Sequence, residues 1–352
     1  MQFLIERTPG DPSTGHHYSF VIDGSFAHIF VTVPDTVPTP HILKKPRRND
    51  EISRRLYKEE FRILNVIKER SHPHMIQFME GVYDASEDKF LDNTYFMFEF
   101  ANSSDLHTHI RHHIGIGCHF PTRVLYELIL GISSGIEHLH ENCGVIHRDL
   151  KPENIMLHCV DGKMIPKIGD FGLSCQMPSF DAIITGNIAM GSPEYMAPES
   201  LTAHEYSAKS DVYSFAVLMS AMVSFSVPYA DLFSTSKAKG FQKVTSGFRD
   251  EAFNRVYPEL VFKMIHDSWA PKPEDRPFAK EITACLRHTL QDPSLPESEF
   301  LLPLVHTPRV SRQWDAIGRF GIFDAFSRHV SRVDPSQDSA AMDSASNGLN
   351  IF

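Results

Sequence analysis

The sequence predicts an α+β fold in which a smaller, strand-rich lobe precedes a larger, mainly helical lobe. Short apolar runs typical of strands recur between residues 18 and 100, interrupted by one amphipathic helical pattern. The longest helical pattern, residues 124–141, lies beyond them and is rich in Leu and Ile on one side. A chain of 352 residues is too long for one small core, so it fits two lobes and a tail.

The elements of the smaller lobe follow in order. Apolar runs at 20–22 and 28–31, joined by small residues, predict a hairpin. A short strand is expected at 41–45 and an amphipathic helix over 51–70, with apolar residues at helical spacing (Phe61, Leu64, Ile67). Two further strands, 75–82 and 94–100, enclose an acidic loop at 84–92.

Composition narrows the function classes. Hydrophobic residues make up 42% of the chain and charged residues 22%, as in ordinary globular proteins. A formal net charge of −10 argues against nucleic acid as the main partner. The five cysteines are scattered without a CxxC pair, which predicts reduced thiols in an intracellular protein, cytoplasmic or nuclear. No transmembrane segment is expected, since the best candidate, 124–136, is short and carries Glu127.

One polar stretch carries the chemistry. Residues 147–154, His-Arg-Asp-Leu-Lys-Pro-Glu-Asn, lie between two apolar runs, which predicts strand, loop and strand. The loop holds a carboxylate (Asp149), an ammonium group (Lys151) and an amide (Asn154). A site that moves a phosphoryl group needs such a set: a carboxylate to take the hydroxyl proton, a cation beside the phosphate, and an oxygen ligand for a metal ion.

This loop and four companions resemble the motifs of eukaryotic-type protein kinases, serine/threonine class. The companions are 170–172 (Asp-Phe-Gly), 191–199 (Gly-Ser-Pro-Glu-Tyr-Met-Ala-Pro-Glu), 210–216 and 275–277 (Asp-Arg-Pro). The resemblance covers residues 18–290 and implies the bilobal protein kinase fold, with a small β-rich N-lobe that contains the αC helix. The pattern at 211–215 and Trp269 are similar to the tyrosine-kinase-like branch.

The resemblance implies that ATP and Mg²⁺ are bound. The first hairpin corresponds to the glycine-rich loop over the phosphates, although only one glycine of three is kept; Ile22 and Ala27 stand where the others would be. The residues expected to approach ATP here are Ile22, Asp23, Gly24, Ser25, Phe26, Ala27 and Ile29. This erosion favours the first alternative function, a pseudokinase or ATP-binding scaffold in signalling.

Further nucleotide contacts come from the following elements. Lys44 corresponds to the strand lysine that grips the phosphates, with Lys45 as a one-residue alternative, and Glu60 to its ion-pair partner in the helix, with Glu59 as the alternative. By the same resemblance Phe98 closes the back of the pocket. Glu99 and Ala101 lie in the hinge that binds adenine through the backbone, and Asp105 is either a ribose ligand or a helix N-cap.

The resemblance assigns a role to each residue of the centre. Asp149 accepts the hydrogen of the incoming hydroxyl, and Lys151 and Asn154 complete the catalytic loop. Asn154 and Asp170 are the expected Mg²⁺ ligands, because Mg²⁺ prefers hard oxygen donors. Lys151 and the 191–199 loop favour serine and threonine acceptors in protein substrates. The docking loop and Arg276 argue against a second alternative, a small-molecule phosphotransferase.

The segment from Gly172 to Gly191 is the expected activation segment. Ser192 is predicted to bond both Asp149 and Lys151 through its hydroxyl. Ile188 occupies the position where many relatives carry a phosphorylated threonine. Thr185, Ser179 and Ser174 remain open as phosphorylation sites that would pair with Arg148, and Asp181 as a permanent negative charge.

The expected division of the chain is a leader (1–17), an N-lobe (18–100), a C-lobe (101–290) and a partly disordered tail (291–352). The tail carries apolar residues interleaved with arginines around 312–328, followed by a Ser- and Asp-rich stretch. Two interpretations stay open for it, docking on the large lobe or binding of a partner or membrane surface. Two scaffold contacts are also expected, Asp211 with the catalytic-loop backbone and Arg276 with Glu199.

Overall fold

A five-stranded antiparallel sheet forms the N-terminal part of the computed structural model. The structure describes residues 16–23, 27–34, 40–116, 119–187, 189–224, 229, 233, 235–249 and 257–292. The strands run in the order β1-β2-β3-β5-β4. Their bounds are His16–Asp23 (β1), Ala27–Pro34 (β2), His41–Pro46 (β3), Phe78–Val82 (β4) and Tyr95–Glu99 (β5). Helix α1, Glu51–Glu69, packs against the sheet at β4, and a short helix α2, Phe90–Asn93, precedes β5.

Helix α1 begins where the sequence provides a cap. The side chain of Asp50 accepts a hydrogen bond from the backbone N–H of Ser53 at 2.7 Å. One face of the helix is buried, and it includes Glu60 among apolar residues such as Ile63 and Leu64. The burial of this face fixes which glutamate of the helix points towards the sheet.

The C-terminal part is mainly helical. Its helices are Leu106–Ile116 (α3), Thr122–His138 (α4), Pro198–Thr202 (α5), Ala208–Ser224 (α6), Lys237–Thr245 (α7), Glu259–Ser268 (α8) and Ala279–Leu290 (α9). Four two-residue strands and one hairpin complete it: Val145–Ile146 (β6), Ile155–Val160 (β7), Lys163–Ile168 (β8), Cys175–Gln176 (β9), Ile184–Thr185 (β10) and Glu205–Tyr206 (β11). Helix α6 is buried around nearly its whole circumference, so the lobe is built around it.

This architecture confirms the α+β fold with a strand-rich part followed by a helical part. Two predicted bounds are wrong. The strand expected at 75–82 begins only at Phe78, because Met75 forms an isolated bridge with Ile168 instead of joining the sheet. The helix expected to reach residue 141 leaves α-helical geometry after His138 and continues as one π-helical turn, Leu139–Cys143, which ends at Gly144 with a left-handed φ of 63°.

Several predicted features lie outside the described residues, namely nearly all of the leader, the tail from residue 293, Gly24, Ser25, Phe26 and Ile188. Among the helices that the structure describes, none is long and apolar enough to cross a membrane.

Candidate active site

The catalytic loop, residues 147–154, is held in place from the interior of the large lobe. It connects β6 to β7, and its backbone is bonded by the carboxylate of Asp211 at the start of α6. Asp211 accepts hydrogen bonds from the N–H groups of His147 (2.8 Å) and Arg148 (2.9 Å), and its carboxylate lies 2.9 Å from the ring of His140. With only 1% of its surface exposed, Asp211 fixes the loop in a form that includes a left-handed φ of 66° at Arg148. The predicted contact of Asp211 with this backbone is thus confirmed.

Asp149 lies at the centre of a polar network. Its Oδ2 atom accepts from Lys151 Nζ at 2.7 Å and from Asn154 Nδ2 at 3.1 Å. Asn154 Nδ2 also donates to the carbonyl oxygen of Asp149 at 2.8 Å, so the loop is closed on itself. Asp149, Lys151 and Asn154 therefore converge, as the sequence predicts.

The activation segment reaches this network through Ser192, but one predicted contact is wrong. The Ser192 hydroxyl accepts from Lys151 Nζ at 2.8 Å, whereas Asp149 is bonded by the Ser192 backbone N–H at 2.8 Å rather than by the hydroxyl. The close approach depends on Gly191, which has φ 122° and whose missing Cβ would lie 2.6 Å from the carbonyl oxygen of Arg148. A side chain at this position would push the segment away from the loop.

Lys44 links the two lobes. Its ammonium group donates to Glu60 Oε1 at 2.7 Å and to Asp170 Oδ1 at 3.1 Å. The alternatives left open by the sequence lie elsewhere: Lys45 donates to the carbonyl oxygen of Asp92, and Glu59 pairs with Arg62 on the helix surface. Alternation along β3 explains the difference, because neighbouring side chains point to opposite faces of a strand.

The electrostatics of this cluster favour the charged forms of Lys44 and Asp170, whereas burial raises the pKa of Glu60. The cation of Lys44 lowers the pKa of Asp170 to about 2. Burial alone would lower the pKa of Lys44, but the carboxylates of Asp170 and Glu60 outweigh it and raise that pKa above its usual range. Asp170 is therefore ionised at neutral pH.

The donor set fits a magnesium ion. The Asp170 side chain is 54% exposed although it contacts Lys44, so one face remains open to the cleft. Both hydrogen bonds of the Asn154 amide use its nitrogen, and within the described chain its oxygen accepts none. One free carboxylate face and one free amide oxygen suit a cation that prefers hard oxygen ligands and keeps several waters.

The phenylalanine after Asp170 points into the protein. Phe171 is buried, and its ring centre lies 5.4 Å from that of His147. His147 is in turn within hydrogen-bond distance, 3.0 Å, of the carbonyl oxygen of Gly169. Because Phe171 fills the interior, the adjacent Asp170, which has a left-handed φ of 58°, faces the opposite way towards Lys44.

The structure describes some of the predicted nucleotide-binding residues of the first hairpin and not others. Ile22 and Asp23 belong to β1, of which the structure describes the backbone, and Gly24, Ser25 and Phe26 lie outside the described residues. In β2 Ala27 is buried, and Ile29 lies directly opposite Lys44 in the ladder. The loss of two of the three expected glycines is therefore known from the sequence, and the structure adds only the position of the flanking strands.

The predicted residues on the hinge side, 98–105, lie at the end of β5 and before α3. Phe98 and Ala101 are buried. The Glu99 side chain is engaged by Lys167 at 2.8 Å and by the backbone N–H of Gln77 at 2.7 Å. Asp105 accepts from the Thr108 N–H at 2.7 Å, which is the N-cap interaction kept open as one interpretation of this residue.

The three candidate phosphorylation sites of the activation segment differ in accessibility. Ser174 is buried, and its hydroxyl bonds the carbonyl oxygen of His147, which argues against it. Ser179 and Thr185 are exposed, but Thr185 pairs across β10 and β11 with Glu205, whose charge would oppose a phosphate. The predicted partner Arg148 donates to the carbonyl oxygen of Leu173 and lies 5.3 Å from the ring centre of Tyr206.

The end of the segment is tied to the large lobe by an ion pair. Arg276 Nη1 and Nη2 lie 2.7 and 2.9 Å from the two carboxylate oxygens of Glu199, the bidentate geometry that arginine favours. This contact is confirmed. Sequence reasoning did not find the roles of His140, Tyr206 and Lys167, because an isolated histidine, tyrosine or strand lysine gives no signal of its distant partner.

A site with these groups, between a strand-rich and a helical lobe, is typical of the protein kinase class of folds. The protein kinase domain profile matches residues 23–288, well over half of the 352, and the chain belongs to this family. The predicted resemblance is therefore confirmed.

Among its relatives are three plant proteins of Arabidopsis thaliana. The serine/threonine-protein kinase STY17 is 26% identical over 251 residues, which are 71% of this chain and 40% of that protein. A probable serine/threonine-protein kinase, WNK10, is 38% identical over 152 residues (43% and 27%). A leucine-rich repeat receptor-like serine/threonine/tyrosine-protein kinase, SOBIR1, is 39% identical over 177 residues (46% and 27%). The chain thus spans less than half the length of these relatives.

Proposed function

We propose that this chain transfers the γ-phosphate of ATP to serine and threonine hydroxyls of protein substrates. The observation that carries the proposal is the contact of Lys44 with both Glu60 and Asp170, since it joins three distant segments in one cleft. Membership of the protein kinase family supports the same activity and the use of ATP with Mg²⁺.

On the nucleotide side, Lys44 would bind the α- and β-phosphates, and Glu60 would keep the lysine in position. Asp170 and Asn154 would hold Mg²⁺, which supplies charge neutralisation at the β- and γ-phosphates when it is bound. Backbone groups at Glu99 and Ala101 would bind adenine. The residues of the glycine-rich hairpin and Asp105 stay predictions for the phosphates and the ribose.

On the acceptor side, Asp149 would orient the substrate hydroxyl and accept its proton. Lys151 lies 2.7 Å from Asp149 Oδ2 and 2.8 Å from the Ser192 hydroxyl, so it would bring positive charge beside the transferred group. Positioning and electrostatic stabilisation dominate phosphoryl transfer, and both depend on a rigid loop. The buried carboxylate of Asp211 supports this rigidity.

The preference for serine and threonine rests on Lys151, on the 191–199 loop and on the names of the relatives. The pseudokinase alternative depends on the eroded glycine pattern alone, and Lys44, Asp149, Asn154 and Asp170 argue against it. An intracellular location and the role of the tail stay predictions from composition.

The test is an assay with labelled ATP, magnesium and a mixture of peptides that carry serine, threonine or tyrosine acceptors. Phosphoamino-acid analysis should find label on serine or threonine. A parallel preparation of Asp149→Asn controls for contaminating kinases. Absence of label on peptide, label on tyrosine alone, or equal label with the variant would contradict the proposal.

A further inference from the structure

The activation segment carries an aromatic side chain that packs on the large lobe. Between β9 and β10 the chain turns, and the N–H of Ala182 donates to the carbonyl oxygen of Ser179 at 3.0 Å. Phe180 lies within this turn, and its ring centre is 5.0 Å from that of Phe278, the residue before α9. The two rings are tilted by 42°, within the range of favourable aromatic pairs.

Two lysines complete this contact. Lys209 Nζ lies 3.4 Å from the ring centre of Phe278. Lys280 Nζ lies 5.3 Å from the ring centre of Phe180 and 5.6 Å from that of Phe278. Cations at such distances from aromatic faces are attracted by the ring quadrupole. We call Phe180, Phe278, Lys209 and Lys280 the Phe180 cluster.

The cluster is continuous with the end of the segment. The carbonyl oxygen of Lys209 accepts from Arg276 Nη1 at 3.0 Å, and the ammonium group of Lys209 donates to the carbonyl oxygen of Arg276. The same arginine binds Glu199. The outer turn of the segment and its carboxyl end are therefore fixed to one part of the large lobe.

The arginine of the catalytic loop is already engaged by neutral groups. Arg148 donates to the carbonyl oxygen of Leu173 and stacks on Tyr206, and among the described residues it forms no ion pair. The hydroxyl of Tyr206 donates to the carbonyl oxygen of Met190, and its oxygen accepts from the N–H of Met190, so this stack also supports the segment. Order in the segment thus comes from contacts that need no phosphate.

We propose that Phe180 is a positioning residue for the protein acceptor. It anchors the activation segment on the Phe180 cluster, in place of a phosphorylated residue that would face Arg148. This inference rests on the proposed kinase function. The anchored segment carries Ser192 to Asp149 and Lys151, so loosening the anchor misplaces the acceptor side while the contacts of Lys44 remain.

Kinetics of Phe180→Ala test the role. Loss of the aromatic and cation contacts should raise the KM for peptide about tenfold. The KM for ATP and the slow hydrolysis of ATP without peptide should stay within about twofold, because the nucleotide side does not touch the cluster. Phe180→Tyr keeps the ring and should restore the KM for peptide.

Ile183→Ala is the matched control. Ile183 belongs to the same segment, is 65% exposed and lies outside the cluster, so its removal should leave both KM values unchanged. An unchanged KM for peptide in Phe180→Ala, an equal rise in Ile183→Ala, or a failure of Phe180→Tyr to rescue would overturn the assignment.

The phosphate is tested separately. Wild-type protein treated with phosphatase, and shown by mass spectrometry to be unphosphorylated, should keep its initial rate of peptide phosphorylation within about threefold. Loss of that rate would show that a phosphorylated residue orders the segment and would overturn the inference.

Hydrogen exchange separates failure of this inference from failure of the proposed function. The amides of Ala182 and Gly186 are hydrogen-bonded in the segment, and their exchange should accelerate in Phe180→Ala but not in Ile183→Ala. This readout needs no catalytic activity. A chain that phosphorylates no peptide but shows this acceleration would refute the kinase function alone, whereas unchanged exchange would refute the anchor.

Discussion

The catalytic loop (147–154) and the activation segment (172–191) lie side by side but are held in different ways. Asp211, buried and bonded to two backbone N–H groups, fixes the loop from inside the protein. The described part of the segment is largely exposed or half-buried and is tied at separate points, such as the β6–β9 pair and the Phe180 cluster. The loop is thus held by a buried carboxylate, whereas the segment, which would receive the acceptor, is held by contacts nearer the surface.

This difference predicts that changes in the loop lower kcat, whereas loss of a contact that anchors the segment, such as that of Phe180, raises the KM for the acceptor. Changes at Asp149 and Asp211 test the loop side of this contrast, and changes at Lys44 and His72 test regions outside both elements; the expected effects decrease from the largest at Asp149 to the smallest at His72.

Asp149→Asn should lower kcat about 10²- to 10⁴-fold, because the amide cannot accept the substrate proton. The KM for ATP should change by no more than about threefold, since Asp149 contacts Lys151 and Asn154 rather than Lys44. Single-turnover transfer to peptide is the measurement. Transfer at the wild-type rate would show that Asp149 is not the base.

Lys44→Met should lower kcat/KM for ATP about 10²- to 10³-fold, because one preorganised cation at the phosphates is lost. Lys45→Met is the matched control; within the described residues the ammonium group of Lys45 bonds only the carbonyl oxygen of Asp92, so activity should stay within about threefold. Steady-state kinetics of both variants show which of the two lysines acts on the phosphates. A larger loss of kcat/KM in Lys45→Met than in Lys44→Met would assign the phosphate contact to Lys45 instead.

Asp211→Ala should lower the free energy of unfolding by about 3–5 kcal/mol, because buried donors of His147, Arg148 and His140 lose their acceptor. Thermal unfolding measures the effect. Asp267→Ala is the control, since Asp267 forms an exposed pair with Lys263 and should matter by less than about 0.5 kcal/mol. Equal losses in the two variants would mean that the loop is not fixed by Asp211.

The smallest effect concerns pH. Burial, with help from the nearby His138 and His74, lowers the pKa of His72 to about 4. The unfolded chain takes up this proton near pH 6.5 and the folded chain only near pH 4, so acidification through that window favours unfolding. The expected loss is about 1–2 kcal/mol after allowance for partial exposure.

His72→Asn should remove this loss and keep an acceptor for the N–H of His74, which the ring nitrogen of His72 now bonds. Denaturant unfolding at pH 7 and pH 4.5 measures it. His266→Asn is the control, because that ring is 73% exposed, and it should follow the wild type. Equal acid sensitivity of His72→Asn and wild type would contradict the assignment.

Sequence reasoning predicted the parts of the site that depend on local pattern. The apolar runs around 147–154 fix strand, loop and strand, and the helical spacing of Leu64 and Ile67 fixes α1, whose buried face selects Glu60. Because successive side chains point to opposite faces of a strand, only one of Lys44 and Lys45 can face the cleft. The fold shows which face of β3 meets Asp170.

The remaining features depend on long-range packing. The π-helical turn at Leu139–Cys143 brings His140 to Asp211, and the ion pair of Glu99 with Lys167 joins residues far apart in the chain. The Ser192 contact was predicted for the wrong atom, because the position of a hydroxyl depends on the backbone path through Gly191. The Phe180 cluster has no local pattern, since its members come from three separate segments.

Asp170, Asn154 and Lys44 would together form one site for ATP and its magnesium ion. Calorimetric titration of wild type and Asp170→Ala with ATP, each with and without magnesium, tests it most directly. We expect wild type to bind ATP more tightly with magnesium, and Asp170→Ala to lose this magnesium dependence. No binding of ATP by wild type, or an unchanged magnesium dependence in the variant, would contradict the account.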